Sequence, residues 1–154
     1  MNSTRWHNGQ VQFEVVGELV GKGRPKFSTV NGFPRAYTPT KTKNYESRIK
    51  ESYLKVSGYK SLKSLKITVV AYCEPPKSKS NKFKEGAYSN QFDPTTKPDI
   101  DNILKCVLDA LNDVAYADDK QIVELNARKC YGHVSRLVVS INEIGECAPS
   151  PNKK

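Results

Sequence analysis

The chain of 154 residues has no apolar run approaching the ~18 residues a membrane-spanning helix needs. Its first eight residues are polar and carry no signal-peptide core, so a cytoplasmic location is expected. Cysteine is sparse and scattered. Cys73, Cys106, Cys130 and Cys147 form no CxxC pair and are expected to be reduced and mostly buried. His7 and His133 have no cysteine at ligand spacing, which disfavours zinc. A phosphate-binding Walker loop is missing as well. Gly17 to Gly21 is one residue too short for it, and no Ser or Thr follows Lys22, so no nucleotide cofactor is expected. Acidic residues are in short supply, 16 against 25 Lys and Arg, giving a net charge of +9 and a pI near 9.4. Such a balance points to an anionic partner. No basic amphipathic helix with an aromatic face is present, so nucleic acid is favoured over a membrane.

What is present reads as a single domain over residues 11–145, with a flexible arm at 1–10 and a disordered tail at 146–154. Val11, Phe13 and Val15 alternate with polar residues at the period of a half-buried strand. An irregular basic stretch follows, with Lys22, Arg24 and Lys26 among glycines and then Gly32, Pro34 and Arg35. This is either a solvated turn or a place where backbone N–H groups and cations approach phosphate. Thr38-Pro39 opens a helix whose apolar stripe is Tyr45, Ile49, Tyr53 and Val56. Leu65, Ile67, Val69, Ala71 and Cys73 form the clearest strand. Residues 75–98 read as a long loop carrying Lys77, Lys79, Lys82, Lys84 and Lys97, with Phe83, Tyr88 and Phe92 interleaved. Such a segment is either a solvated loop or one that grips phosphates and stacks on bases. A second helix begins at Asp101 or Asn102, with Ile103, Val107, Ala110, Leu111 and Val114 inward. Strands containing Val123, Leu125 and Ala127, then Leu137, Val139 and Ile141, close the chain, with Tyr131-Gly132-His133 as the hairpin turn between them. The order β-α-β-α-β-β implies an α/β (α+β) domain, a mixed sheet with two main helices on one face.

The acidic residues are concentrated. Between Asp99 and Glu124 stand seven of them (Asp99, Asp101, Asp109, Asp113, Asp118, Asp119, Glu124) against two basic residues, Lys105 and Lys120. An acidic island in a basic chain suits a metal-dependent enzyme acting on a polyanion. Asp99 and Asp101 lie at a loop-to-helix junction, where both side chains can converge. Asp118 and Asp119 follow the helix, and roughly 20 Å separates the ends of a fifteen-residue helix, so one metal joins both pairs only if the chain doubles back. Oxygen ligands without His or Cys select Mg²⁺, with Mn²⁺ able to substitute. Lys105, four residues after Asp101, is placed to balance the cluster or meet a phosphate, and Asp109 to hold Lys105 in turn. The plainer alternative is a surface ion pair contributing ~0.3–0.5 kcal/mol beside ordinary Asp-rich caps and turns.

The stretch Lys97-Pro-Asp-Ile-Asp-Asn-Ile-Leu-Lys105, then Asp109-Ala-Leu and Asp118-Asp119-Lys-Gln-Ile-Val, resembles the core of the RusA family of Holliday junction resolvases. Gly23-Arg24-Pro25-Lys26 and Tyr37-Thr38-Pro39 resemble that family's basic loop and helix start. The resemblance covers roughly residues 13–131. It implies a Mg²⁺-dependent, homodimeric endonuclease, commonly phage- or prophage-borne, that makes paired symmetric nicks across a four-way DNA junction. On this resemblance Asp99, Asp101 and Asp119 match the metal-binding acidic triad and Lys105 the catalytic lysine, while Asp118 and Asp109 match acidic positions nearby. The segment at 75–98 is longer and more lysine-rich than in the best-known member, which bears on substrate preference. Two other readings stand beside it: a DNA-binding module of phage recombination without nuclease activity, and a nuclease of flaps or general branched DNA.

Overall fold

The computed structural model describes residues 5–149. Four strands form a mixed sheet: β1 (Gln10–Val16), β4 (Ser64–Cys73), β5 (Ile122–Tyr131) and β6 (Arg136–Gly145), in spatial order β1-β6-β4-β5. β4 runs parallel to β5 and antiparallel to β6, and β6 runs antiparallel to β1. The register aligns Phe13 with Val139 and Ile67 with Ile141, so the inward residues of three strands share one face. On that face lie α1 (Thr40–Val56) and α3 (Ile100–Leu111), which bury Tyr45, Ile49, Tyr53, Ile103, Val107 and Leu111. Each such large side chain contributes roughly 1.5–3 kcal/mol by leaving water. Both helices carry their apolar residues at three- and four-residue spacing, which is why they dock by one face.

The mixed α+β architecture and its order of main elements match the sequence reading, with four differences. First, the stretch expected to be irregular holds a separate two-stranded ribbon, β2 (Lys26–Val30) and β3 (Phe33–Tyr37). Its turn is Asn31-Gly32, with φ of 52° and 80°, the left-handed pair that a two-residue hairpin requires. Second, the expected loop at 75–98 contains α2 (Asn81–Tyr88), capped by Ser80, whose hydroxyl accepts from Phe83 N–H at 3.1 Å. Third, Tyr131-Gly132-His133 is no hairpin turn. β4 lies between β5 and β6, and the connection straddles its end, where Gly132 N–H donates to Cys73 C=O at 3.0 Å. β5 is thus an edge strand, and Val123 and Leu125 are exposed rather than inward. Fourth, residues 5–10 are not a loose arm. Trp6 is buried, and its indole N–H donates to the Tyr53 hydroxyl at 2.9 Å. Residues 1–4 of the expected arm and 150–154 of the expected tail lie outside the described residues. No described helix is long and apolar enough to cross a membrane.

Candidate active site along helix α3

Helix α3 carries the acidic island. Asp99 caps its N-terminus in extended conformation, and its carboxylate makes no capping hydrogen bond, leaving it open to another partner. Asp101 sits in the first turn, where the helix dipole favours negative charge. Lys105 Nζ lies 3.7 Å from Asp101 Oδ2, and both side chains are about two-thirds exposed (63% and 65%). Asp109, expected to hold Lys105, pairs with Lys22 at 3.0 Å instead. Asp101, Lys105 and Asp109 follow at four-residue spacing and so share one helical face.

The basic loop before the ribbon is seated on the first turn of α3. Lys22 N–H donates to Asn102 C=O at 2.9 Å. Gly21 permits this approach, because a Cβ there would stand 3.0 Å from the Cβ atoms of both Asn102 and Pro98. Gly23 N–H donates to Thr42 Oγ1 at 3.0 Å at the start of α1. Lys22 Nζ then reaches Glu46 of α1 at 2.6 Å as well as Asp109 of α3. Desolvation works against its charge, but the hydrogen bonds to Glu46 and Asp109 prevail and raise its pKa, so it is a cation at neutral pH. Lys22, expected to contact DNA, therefore has both partners inside the protein. Glu46 gave no signal in the sequence, since its partner is 24 residues away.

At the other end, α3 stops at Leu111, and the chain turns back through Asp113, whose φ is 59°. Tyr116 is fully buried and its hydroxyl donates to Leu108 C=O at 2.8 Å, fastening the return to the helix. Asp119 N–H donates to Asn112 Oδ1 at 3.1 Å. Asp118 accepts from Lys120 N–H at 3.0 Å and its own N–H donates to Gln121 Oε1 at 2.9 Å; Gln121 is anchored on the Ser61 and Lys63 carbonyls. These hydrogen bonds hold the Asp118–Asp119 turn. The two carboxylates are close enough to interact. Hydrogen bonding to Lys120 N–H lowers Asp118, whereas the hydrogen bond with Asp118 raises Asp119, with further repulsion from Asp118 and Asp109.

The chain thus does double back, and Asp119 comes to the Asn112 end of α3, near Asp109. Asp99 and Asp101 stand at the other end of a 12-residue helix. Among the described residues no three His, Cys, Asp or Glu side chains gather closely enough to hold a metal ion. Asp99, Asp101 and Asp119 therefore do not form one cluster here. Their chemistry nonetheless fits a hard divalent cation: oxygen donors only, exposed, with the Asp99 carboxylate uncommitted and the Asp118–Asp119 pair in mutual repulsion. A cleft of about 360 Å³ beside Asp109 is lined by Lys43, Glu46, Lys50 and Asn112, between α1 and α3.

The remaining basic residues lie outside this line. Arg24, Lys26, Lys77, Lys79, Lys82 and Lys97 are exposed and Lys84 is half-buried. The rings among them are used internally. Phe83 meets Phe92 with centroids 4.7 Å apart and Tyr131 at 6.0 Å, and Tyr88 stacks on His133 at 3.8 Å. Lys79 Nζ sits 5.2 Å above the Phe83 ring. Of the cysteines expected to be mostly buried, Cys106 and Cys130 are, whereas Cys73 is half-buried and Cys147 exposed; burial pushes Cys106 up to about 12, which removes it as a nucleophile.

Two comparisons with known proteins bear on the family of this chain. The family profile described as "Endodeoxyribonuclease RusA" matches residues 17–142. A curated protein of Bacillus subtilis (strain 168), "Uncharacterized protein YqaN", is 38% identical over 140 residues, 87% of this chain and 96% of its own length. The match spans the seated basic loop, α3 and the Asp118–Asp119 turn together, and the chain belongs to the RusA family of endodeoxyribonucleases.

Proposed function

We propose that the protein is a Mg²⁺-dependent endonuclease that resolves four-way DNA junctions as a homodimer in the cytoplasm. The observation that supports this best is the exposed carboxylate line of α3, interrupted by Lys105, in a basic chain of the RusA family. Asp99, Asp101 and Asp119, with Asp118 beside them, would hold the metal once Asp119 closes on the first turn of α3, from which it is separated by the length of the helix in this structure. A bound Mg²⁺ would supply an activated water and charge stabilisation at the leaving oxygen. Asp101 orients Lys105, and Lys105 meets the non-bridging oxygens of the scissile phosphate and offsets the charge that builds there. Asn112 and Gln121 hold the turn that carries Asp118 and Asp119. A junction with two-fold symmetry needs two nicks, and one subunit supplies one site, so two subunits act together. Lys97, two residues before Asp99, and Arg24, in the loop seated on α3, are exposed and would take phosphates.

The test compares a mobile four-way junction, a Y-fork and linear duplex in Mg²⁺, with the wild-type protein and Asp101→Asn. Paired nicks at the junction, lost by at least about a hundredfold in Asp101→Asn while junction binding persists, are the expected outcome. Cutting of forks and flaps as fast as junctions would replace this reading with a general branched-DNA nuclease. An Asp101→Asn protein that cuts at the wild-type rate would remove the site.

A further inference from the structure

The β2–β3 ribbon contributes no residue to the core. Every residue of both strands is exposed, including Phe27 and Phe33 at 74% and 72%. A lone two-stranded hairpin is only marginally stable in water, and large apolar side chains held outside a core usually mark a contact surface. Its pairing divides the side chains cleanly. Lys26 faces Tyr37, Ser28 faces Arg35 and Val30 faces Phe33 on one face; Phe27 with Ala36 and Thr29 with Pro34 occupy the other. One face is thus cationic and aromatic and the other uncharged. From Leu19 to Tyr45 the sequence has no Asp or Glu, so the ribbon itself carries no charge that repels a polyanion. The ribbon leaves the body at Gly23–Pro25, where Lys22 and Gly23 are fixed to the first turns of α3 and α1. It therefore leaves the body beside the first turn of α3, which carries Asp99 and Asp101.

We propose that this ribbon is a DNA-reading arm that engages the branch point with its Lys26–Arg35–Tyr37–Phe33 face. Lys26 and Arg35 take phosphates, and Phe33, beside the turn, stacks on bases unpaired or unstacked at the crossover. A two-stranded ribbon fits the major groove, and aromatic stacking serves bases of any sequence because each has a π-face. The inference rests on the DNA-junction reading above and adds the element that distinguishes a branch from a plain duplex. The two cations of this face suit a polyanion, while the Phe27 face carries no charge to contribute.

The test measures binding of the full chain in EDTA to a four-way junction carrying 2-aminopurine at the crossover, and to linear duplex of the same sequence. Phe33→Ala should weaken junction binding about tenfold, the loss of one base stack, and abolish the 2-aminopurine change while leaving duplex affinity within about twofold. Phe33→Trp should restore both. Arg35→Ala should weaken both substrates and reduce the salt slope by about one. Phe27→Ala, on the opposite face, should change neither. Phe33→Ala binding the junction like the wild type would overturn the arm alone. So would a larger loss in Phe27→Ala, or a change in sedimentation of the free protein in Phe33→Ala, which would make the ribbon a protein contact. A wild-type chain without preference for the junction would overturn both the arm and the proposed function.

Discussion

Lys22 and Lys105 are both lysines beside the aspartates of α3, and their surroundings give them opposite work. Lys22 is three-quarters buried at its side chain (24% exposed) and bridges Glu46 and Asp109, one on each packed helix. Removing it leaves two carboxylates facing each other with no cation, the costly way to break a partly buried ion network. Lys105 is exposed, pairs loosely with Asp101 and supports no packing. Lys22→Met should therefore cost about 1–2 kcal/mol, discounted for water access, and lower the melting temperature by about 2–8 °C. Lys105→Met should stay within about 0.5 kcal/mol of the wild type in stability. Its nicking rate should fall at least about a hundredfold if the ammonium group meets the phosphate. Thermal melts and junction cleavage on both variants decide it. A Lys105→Met protein that melts like Lys22→Met would mean that its role is structural.

At the scale of elements, the site depends on where α3 ends. Asn112 is the pivot: its backbone N–H closes the helix on Leu108 C=O at 3.1 Å, and its side chain holds Asp119 N–H at 3.1 Å. Asn112→Ala keeps the first contact and loses the second. Because Asn112 is exposed, the stability cost should be about 1 kcal/mol or less. With Asp119 less well oriented, the Mg²⁺ concentration for half-maximal cleavage should rise about tenfold, with the saturated rate near that of the wild type. A loss equal at all Mg²⁺ concentrations would place Asn112 outside metal binding. Elements that bury one face, namely α1, α3, β1, β4 and β6, were legible in the sequence because burial imprints a period on it. The ribbon buries neither face, so it left no period, and only Asn31-Gly32 marked it. Eight-residue α2 hid among lysines, since its rings pack on Tyr131 and His133 far along the chain. The turn expected between β5 and β6 assumed that neighbours in sequence pair in space. The route from β4 through α2 and α3 instead returns β5 parallel to β4, on the side opposite β6. Within the site, the i,i+4 pair Asp101–Lys105 is local and was readable; the Lys22 clamp joins residues brought together only by packing.

For the whole molecule, charge and fold are carried by different parts of the surface and interior. The core joining helices to sheet is apolar, whereas Arg24, Lys26, Lys77, Lys79, Lys82 and Lys97 are exposed on loops, ribbon and α2, and the net charge is +9. DNA affinity should therefore rest on counterion release, and folding should not. With about six phosphates neutralised, log affinity should fall against log salt with a slope near −5, a loss of roughly a thousandfold between 50 and 200 mM. The melting temperature over the same range should move by no more than a few degrees, because the surface ion pairs contribute little and the apolar core is unscreened. Fluorescence anisotropy in EDTA, with a parallel thermal melt at each salt concentration, measures both. A slope shallower than about −2 would mean that the exposed lysines are solvating charge and that the junction is held by the ribbon and α3 alone. A melt that collapsed along with the affinity would instead mean that ion pairs such as the Lys22 clamp, rather than the apolar core, hold the two helices together.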